Sequence, residues 1–226
     1  SAASDVYKRQ MVNNELIITD SRLLSKDEVM AIGVDNFAPL SEVPMPRAAT
    51  ITRGRLTITF SGVYNTSNGV SCNLTGTAHW DDSGLHTEGE NYCATGEDFI
   101  GVTWSGSFTA KSHSISGKNQ LGGALTIYNS DSTPNAGRVW SFKDSNPTSK
   151  YTLYAKDINL NVNISKNTLT GNGNTAEAVL KYIHTYSKVK GSISITPGSE
   201  TVAGSFSLSN TDRQWSLVCT VTNIPY

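Results

Sequence analysis

The chain has 226 residues with 18 basic and 19 acidic side chains, so its formal net charge is −1. This balance gives no electrostatic basis for binding nucleic acid or an anionic membrane surface. Charged residues make up only 16% of the chain, whereas roughly a quarter is usual in globular domains. No apolar stretch approaches the ~20 residues that a membrane-spanning helix needs, so we expect a protein that binds no nucleic acid and does not insert into a membrane.

The first ten residues read SAASDVYKRQ. Over its whole length this segment resembles the in-frame translation of a transposon-based sequencing adapter. The resemblance implies that residues 1–10 are adapter-derived, and we exclude them from the prediction of the fold. It also implies that the native N-terminus is missing, so the lack of a signal peptide here carries no information about localisation.

Residues 11–50 differ in pattern from the rest of the chain. Residues 16–18 are apolar and predict a short strand. Ser25 and Glu28 then have the spacing of a capping box, and Gly33 is a natural helix stop, which predicts a short helix between them. Three prolines, at positions 39, 44 and 46, predict an extended linker. We expect an N-terminal arm over residues 11–50, either a propeptide-like lead-in or a helix that caps the sheet.

The stretch from Asp157 to Ser165 alternates strictly between aliphatic and polar residues. Its aliphatic members are Ile158, Leu160, Val162 and Ile164. A period of two is typical of a β-strand with one buried and one solvated face, whereas a helix would scatter these side chains around its axis. The same alternation recurs from Gly54 to the C-terminus.

About ten or eleven strands joined by short turns are predicted in this way. The clearest lie at 56–61, 70–80, 102–110, 121–128, 137–143, 150–165, 175–186, 189–195, 202–208 and 215–221. The turn at Asn68-Gly69 is of the kind that joins antiparallel strands, so the first two runs are predicted to form a hairpin. The run at 175–186 is apolar on both faces, which indicates a central strand or one covered on its second face.

Strands at this regular spacing predict an all-β fold, namely an antiparallel β-sandwich of Ig-like or jelly-roll-like type with a short N-terminal helix. The predicted domain covers residues 51–226. Residues 144–150, which include Asn146-Pro147, are the candidate boundary if there are two sandwiches. No internal repeat stands out, and this favours one domain.

Three cysteines are present, at positions 72, 93 and 219. A disulfide between Cys72 and Cys93 would close a loop of about twenty residues and stabilise the fold by ~3 kcal/mol. A bridge between Cys72 and Cys219 is the alternative pairing, because both fall on inward phases of their strands. The third hypothesis is that all three are buried thiols. No C-x-x-C or H-x-x-x-H spacing indicates a metal site.

Residues 81–98 break the alternation and contain many carboxylates. Asp81, Asp82, Glu88 and Glu90 are candidate Ca²⁺ ligands, because Ca²⁺ takes six to eight oxygen donors from flexible loops. Their spacing does not match an EF-hand loop, and a solvated, exposed acidic loop is the favoured interpretation. A pair of glycosidase carboxylates drawn from this loop is a further hypothesis that the spacing does not select.

Aromatic side chains on strands are candidates for either the core or a ligand site. Trp80, Trp104 and Trp215 fall on inward phases, and large aromatic residues dominate sandwich cores. The phases of Trp140 and Tyr154 are less regular, so these two are predicted to be exposed and are the candidate ligand-binding residues. The strand with His184 also holds Tyr182 and Tyr186; we interpret His184 as a hydrogen-bonded or surface residue, or else as part of a sugar-binding or acid–base face.

No pattern typical of a catalytic site stands out. The chain has no G-x-S-x-G elbow and no glycine loop in the context that cradles a phosphate. We therefore expect no cofactor apart from the Ca²⁺ hypothesis, and a non-enzymatic, secreted or surface-associated bacterial β-sandwich protein with a binding, adhesion or structural role. One alternative is a phage or viral structural protein of a tail, fibre or capsid. The other is a carbohydrate-binding module or lectin; the expected partner is thus a protein or a glycan.

Overall fold

The computed structural model describes residues 6–12, 15–22, 47–65, 69–81, 89–166, 175–188 and 190–225. The regular secondary structure of these residues is all strand, without a helix. The strands are β1 (Val6–Val12), β2 (Glu15–Arg22), β3 (Arg47–Arg53), β4 (Leu56–Asn65), β5 (Val70–Trp80), β6 (Asp98–Trp104), β7 (Thr109–Asn119), β8 (Ile127–Thr133), β9 (Gly137–Phe142), β10 (Ser145–Pro147), β11 (Thr152–Lys166), β12 (Thr175–Thr185), β13 (Ser192–Thr196), β14 (Ser205–Ser209) and β15 (Gln214–Pro225).

Two large sheets form the body of the fold. The first sheet has the strand order β1-β2-β15-β12-β6-β9-β8, and the second has the order β10-β11-β5-β4-β3, with β7 also pairing with β11. All pairings are antiparallel except the short contact of β15 with β2. Strands from before and after residues 144–150 occur in both sheets.

The predicted alternation sets the inner face of the second sheet. The stretch from Asp157 to Ser165 lies in β11. Its four aliphatic residues, Ile158, Leu160, Val162 and Ile164, are all at most 1% exposed. Register pairs Leu160 with Gly76 of β5 and Ile158 with Ala78. The predicted hairpin of β4 and β5 is confirmed, since Asn65 pairs with Ser71 and the pairing continues to Leu56 and Trp80.

The two sheets pack face to face through this apolar surface. A Cβ atom on Gly76 of the second sheet would lie 2.9 Å from Leu180 Cδ1 of the first, so Leu180 packs into the space that the missing side chain leaves. Trp80 of β5 donates a hydrogen bond to the hydroxyl of Tyr182 in β12 across the same interface. The core therefore lies between the sheets and includes the tryptophans predicted to be inward, at positions 80, 104 and 215.

The hairpin of β13 and β14 covers the outer face of the first sheet. Phe206 and Leu208 of β14 pack with Ile183 of β12, Phe99 of β6 and Val139 of β9 in a second, smaller apolar cluster. The run at residues 175–186 was predicted to be a central strand or one covered on its second face. This prediction is confirmed, because β12 is central in its sheet and Ile183 is buried on the outer face. The three C-terminal strands are also present, as β13, β14 and β15.

Two predicted strands are wrong in position. Residues 102–110 do not form one strand, because β6 ends at Trp104 and a turn closed by Phe108 N–H and Ser105 C=O leads to β7. Residues 121–126 precede β8 rather than forming a strand. Strand β7 escapes prediction because residues 111–114 are polar or small and all exposed, so they show no apolar alternation.

The prediction that Trp140 and Tyr154 are exposed is also wrong. Trp140 is 3% exposed and Tyr154 is 8% exposed. Trp140 belongs to the core cluster because β9 lies inside the first sheet and β7 covers it, with the His113 ring centroid 6.2 Å away. Tyr154 is flanked by β10, whose Ser145 is its register partner.

No disulfide bond joins the three cysteines, so both predicted pairings are wrong. Cys72 and Cys219 are fully buried and Cys93 is 4% exposed. Cys72 and Cys219 occupy the inward positions that the alternation assigns to them, and they pack there as small apolar side chains. Burial raises the pKa of the Cys219 thiol to about 12.

The structure describes only part of the predicted N-terminal arm, residues 11–50. The strand expected at residues 16–18 is confirmed within β2. The helix and the proline-containing linker predicted between Ser25 and Pro46 fall outside the described residues. Strand β3 begins at Arg47, before the point at which the sequence pattern becomes clear, and pairs with β4 along its whole length.

Candidate functional site

Three ionisable side chains, Asp98, Asp144 and His184, are completely buried and lie together; we call them the Asp–Asp–His cluster. Asp98 begins β6, His184 lies one residue before the end of β12, and Asp144 follows the end of β9. Because β6 lies between β12 and β9 in antiparallel register, its start meets the ends of both neighbours. Three segments distant in sequence therefore converge at one end of the first sheet.

Asp98 accepts hydrogen bonds from several donors. The Tyr182 hydroxyl donates to Oδ2 over 2.6 Å, and the Thr185 N–H donates to Oδ1 over 2.8 Å. His184 Nδ1 lies 3.1 Å from Oδ1 and 3.0 Å from Oδ2. A carboxylate with this many donors is held in place.

His184 has an oxygen acceptor at each ring nitrogen. Nδ1 faces Asp98 and lies 3.4 Å from Asp144 Oδ2, while Nε2 lies 3.3 Å from the carbonyl oxygen of Gly89. A carbonyl oxygen only accepts, so Nε2 carries a proton. Nδ1 is therefore the ring nitrogen that interacts with the two carboxylates.

Asp144 is satisfied on one side only. Its Oδ2 accepts a hydrogen bond of 3.0 Å from the Ala94 N–H. Its Oδ1 is buried and has no hydrogen-bond partner in the described part of the chain. An unpaired buried carboxylate oxygen is costly, so Oδ1 is the atom of the cluster whose hydrogen-bonding capacity is unmet among the described residues.

The pKa shifts show how strongly these groups act on one another. Burial alone lowers the pKa of His184, but its interactions with Asp98 and Asp144 outweigh burial and raise it to about 10. Burial, followed by the charge of Asp98, raises the pKa of Asp144 well above its ordinary value. Burial and then the two carboxylates likewise raise the pKa of Tyr182.

Aromatic rings enclose the cluster. The His184 ring centroid lies 4.9 Å from that of Trp80 and 5.0 Å from that of Trp215. The indole N–H of Trp80 donates to Tyr182, and that of Trp215 donates to the Glu90 carbonyl oxygen. Both indoles thus have acceptors, and their ring faces exclude water, which strengthens electrostatic interactions inside the cluster.

A groove lies at the same end of the molecule. It consists of two adjoining pockets of about 450 Å³ and 300 Å³, which share Glu97, Lys143 and Asn146 in their walls. The larger pocket combines an apolar wall with the lysines at positions 143, 188 and 190. The smaller pocket carries the Tyr128 ring, which is 59% exposed.

The groove and the cluster share the same backbone. Asp98 lies between the groove residues Glu97 and Phe99, and Asp144 lies between Lys143 and Ser145. His184 directly precedes Thr185, whose hydroxyl donates to the Glu97 carbonyl oxygen. The position of the cluster therefore determines the position of the groove wall.

Two of the four candidate Ca²⁺ ligands, Asp81 and Glu90, are described, and neither belongs to the Asp–Asp–His cluster. Asp82 and Glu88 lie outside the described residues, and Asp81 and Glu90 are exposed. The Glu90 carboxylate pairs with Arg53 at 3.4 Å. Within the described ranges, the group whose donor atoms converge is the Asp–Asp–His cluster, with all three atoms within 4.8 Å of one another.

The sequence pattern predicted only some of the residues of the candidate site. Of the two candidate ligand-binding residues, Tyr154 lines the smaller pocket, whereas Trp140 does not. The interpretation of His184 as a hydrogen-bonded residue is confirmed, but its partners Asp98 and Asp144 were not singled out. The available signal was a histidine on a strand that is apolar on both faces, which requires buried partners of opposite charge.

A comparison with protein-family models and a search of curated proteins each found no match to the chain. In the part of the chain that the structure describes, no helix is long and apolar enough to cross a membrane.

Proposed function

We propose that this protein is a non-enzymatic, exported or surface-associated binding protein whose ligand occupies the groove. The observation that carries the proposal is the groove itself, because its two pockets share wall residues and combine apolar, amide and cationic groups. Ligand sites are usually concave and largely apolar with a few placed polar groups. The ionisable cluster behind the groove is sealed by aromatic rings, which favours a supporting role over contact with a substrate.

Carbohydrate is the ligand class that the smaller pocket favours. Tyr128 presents an exposed ring there, beside the side chains of Asn119, Thr126 and Asn146. Exposed aromatic rings stack on the apolar faces of sugars, and amides and hydroxyls hydrogen-bond to sugar hydroxyl groups. Among the alternatives from the sequence, the carbohydrate-binding module therefore gains a specific supporting feature.

The architecture fits this role. Two sheets packed face to face support an assignment to the β-sandwich class, and we propose the Ig-like or jelly-roll-like type on the basis of the predominantly antiparallel pairing. The low charged fraction and polar strand faces, noted for the sequence, support export. Binding sites at one end of the sheets are common in such folds, because loops there are carried on a rigid scaffold.

Binding should be tested with a glycan array, followed by titration calorimetry of each glycan that binds. Tyr128→Ala is expected to weaken binding, whereas Tyr151→Ala serves as a matched control. Tyr151 is 51% exposed and lies outside the walls of both pockets. Equal binding by the two variants would place the ligand elsewhere, and no binding to any glycan would exclude the carbohydrate assignment.

A further inference from the structure

We propose that Asp98, Asp144 and His184 bind a divalent transition-metal ion of the Zn²⁺ kind, through His184 Nδ1 and the carboxylate groups of the two aspartates. The ion would hold together the ends of β6, β9 and β12 and so support the wall of the groove. This inference does not depend on the identity of the ligand in the groove.

The spacing of the donor atoms fits a metal ion. His184 Nδ1 lies 3.0 Å from Asp98 Oδ2 and 3.4 Å from Asp144 Oδ2. With metal–nitrogen and metal–oxygen bonds of about 2.0–2.2 Å, neighbouring ligand atoms are about 3.0 Å apart in an octahedral site and about 3.4 Å apart in a tetrahedral one. The three donor atoms all lie within 4.8 Å of one another.

The surrounding hydrogen bonds are those of a metal centre. A histidine that binds a metal usually donates its other ring N–H to a carbonyl or carboxylate, and the carboxylate ligands are themselves hydrogen-bonded. Here His184 Nε2 faces the Gly89 carbonyl oxygen. Asp98 accepts from Tyr182 and Thr185, and Asp144 accepts from the Ala94 N–H. Each proposed ligand is thus oriented by a partner that is not itself a ligand.

Charge balance supports a divalent ion. In the metal-binding form, with both carboxylates ionised and the imidazole neutral, the cluster carries a charge of −2, and all three side chains are fully buried. An uncompensated buried charge is very unfavourable, and a divalent cation cancels this one. The ion also provides a partner for Asp144 Oδ1, the buried oxygen without a hydrogen bond.

The donor set selects the type of metal. Imidazole nitrogen with carboxylate oxygen suits Zn²⁺ and related transition metals, whereas Ca²⁺ prefers six to eight oxygen donors and Mg²⁺ retains water. The enclosed position indicates that the ion enters as the chain folds, because structural metal ions couple binding to folding. A chelator added to folded protein is therefore expected to remove the ion slowly.

The test is to unfold the full chain in denaturant with EDTA, remove the chelator, and refold it with or without Zn²⁺. Protein refolded with Zn²⁺ is expected to retain one ion per chain after gel filtration, measured by elemental mass spectrometry, and to have a higher Tm. Mg²⁺ and Ca²⁺ should leave the Tm unchanged. Refolding with Co²⁺ should give the visible absorption of nitrogen and oxygen coordination.

Asp144→Asn is the decisive variant because it keeps the shape of the side chain. It should weaken Zn²⁺ binding by more than about 100-fold, since loss of an outer partner of a ligand alone costs about 10- to 100-fold. Asp157→Asn is the matched control, because Asp157 pairs with His79 at 2.7 Å on the half-exposed surface. The control should keep full Zn²⁺ binding.

The competing explanation is that bound protons, and not a metal ion, neutralise the charge of the cluster. If protons alone neutralise it, Asp144→Asn will fold with unchanged or increased stability, and the native protein will retain no metal and show no Tm response to Zn²⁺. That result would overturn the proposal. If Asp144→Asn fails to fold, the comparison of the native chain refolded with and without Zn²⁺ still decides the question.

Discussion

The hydroxyl of Tyr182 donates to Asp98 Oδ2 over 2.6 Å and accepts from the Trp80 indole over 2.9 Å. Both hydrogen bonds are fully buried, and together they join the second sheet to the Asp–Asp–His cluster of the first. A single oxygen atom therefore satisfies a buried donor and a buried charge.

Tyr182→Phe should destabilise the protein by about 1–3 kcal/mol, because it leaves the Trp80 N–H unpaired and removes one donor from Asp98. Urea unfolding measures this loss directly. Tyr128→Phe removes a hydroxyl from an exposed ring and should change stability by no more than about 0.5 kcal/mol. If the two variants have the same stability, the Tyr182 hydroxyl makes no net contribution.

Gly101→Ala should loosen the hairpin of β13 and β14. An added Cβ would lie 2.7 Å from Phe206 Cε1 and 2.9 Å from the Arg138 carbonyl oxygen, and a backbone oxygen cannot rotate away. Overpacking of this kind costs about 1–3 kcal/mol. Hydrogen exchange should be faster in residues 192–196 and 205–209 of the variant.

Gly106→Ala is the control for that substitution. The nearest heavy atom to its added Cβ is 3.6 Å away, which is ordinary van der Waals contact. Wild-type exchange rates in Gly101→Ala would show that Phe206 accommodates the methyl group, and that the hairpin is not held by this contact.

His113 should titrate below 6.5, its unperturbed pKa, because burial and then the nearby Arg138 charge lower the pKa. Removing that charge in Arg138→Gln should move the pKa back toward 6.5, as followed by NMR of the imidazole protons, while Lys150→Gln should leave it unchanged. The folded state binds fewer protons than the unfolded state in this range. The contribution of His113 to stability is therefore lost as the pH falls through 6.5 toward the folded pKa.

All three cysteines should resist thiol reagents in the native protein at pH 8. Burial holds the pKa of Cys219 at about 12, so its reactive thiolate is scarce, and Cys72 and Cys93 are shielded by the core. After unfolding in denaturant without reductant, all three thiols should react with Ellman's reagent. If only one thiol per chain reacted, the other two cysteines would form a disulfide, which would contradict the structure.

Burial at the strand centres was predictable from the sequence because it depends on a local rule. Alternation in β4, β5 and β11 identifies the residues that face the core, and water on the other face enforces that phase wherever the strands pair. The rule fails at β7, whose polar residues lie at an open edge, and at Trp140, whose burial depends on the strand that covers it.

The candidate site was not predictable in the same way, since its members are far apart in the chain. Asp98, Asp144 and His184 meet only because antiparallel register brings the start of β6 against the ends of β9 and β12. Neither aspartate belongs to a recognisable motif. In sequence, one lies at the edge of an acidic loop and the other directly precedes the short proline-containing strand β10.

The sequence by itself determined that this is an all-β protein and which side of most strands is apolar, because each side chain's phase depends only on its immediate neighbours and on water. Only the tertiary structure decided that the cysteines remain thiols, that an outer hairpin covers the first sheet, and that two carboxylates enclose one histidine. Those outcomes depend on distances between segments, and such distances are fixed by strand order and sheet packing rather than by local pattern.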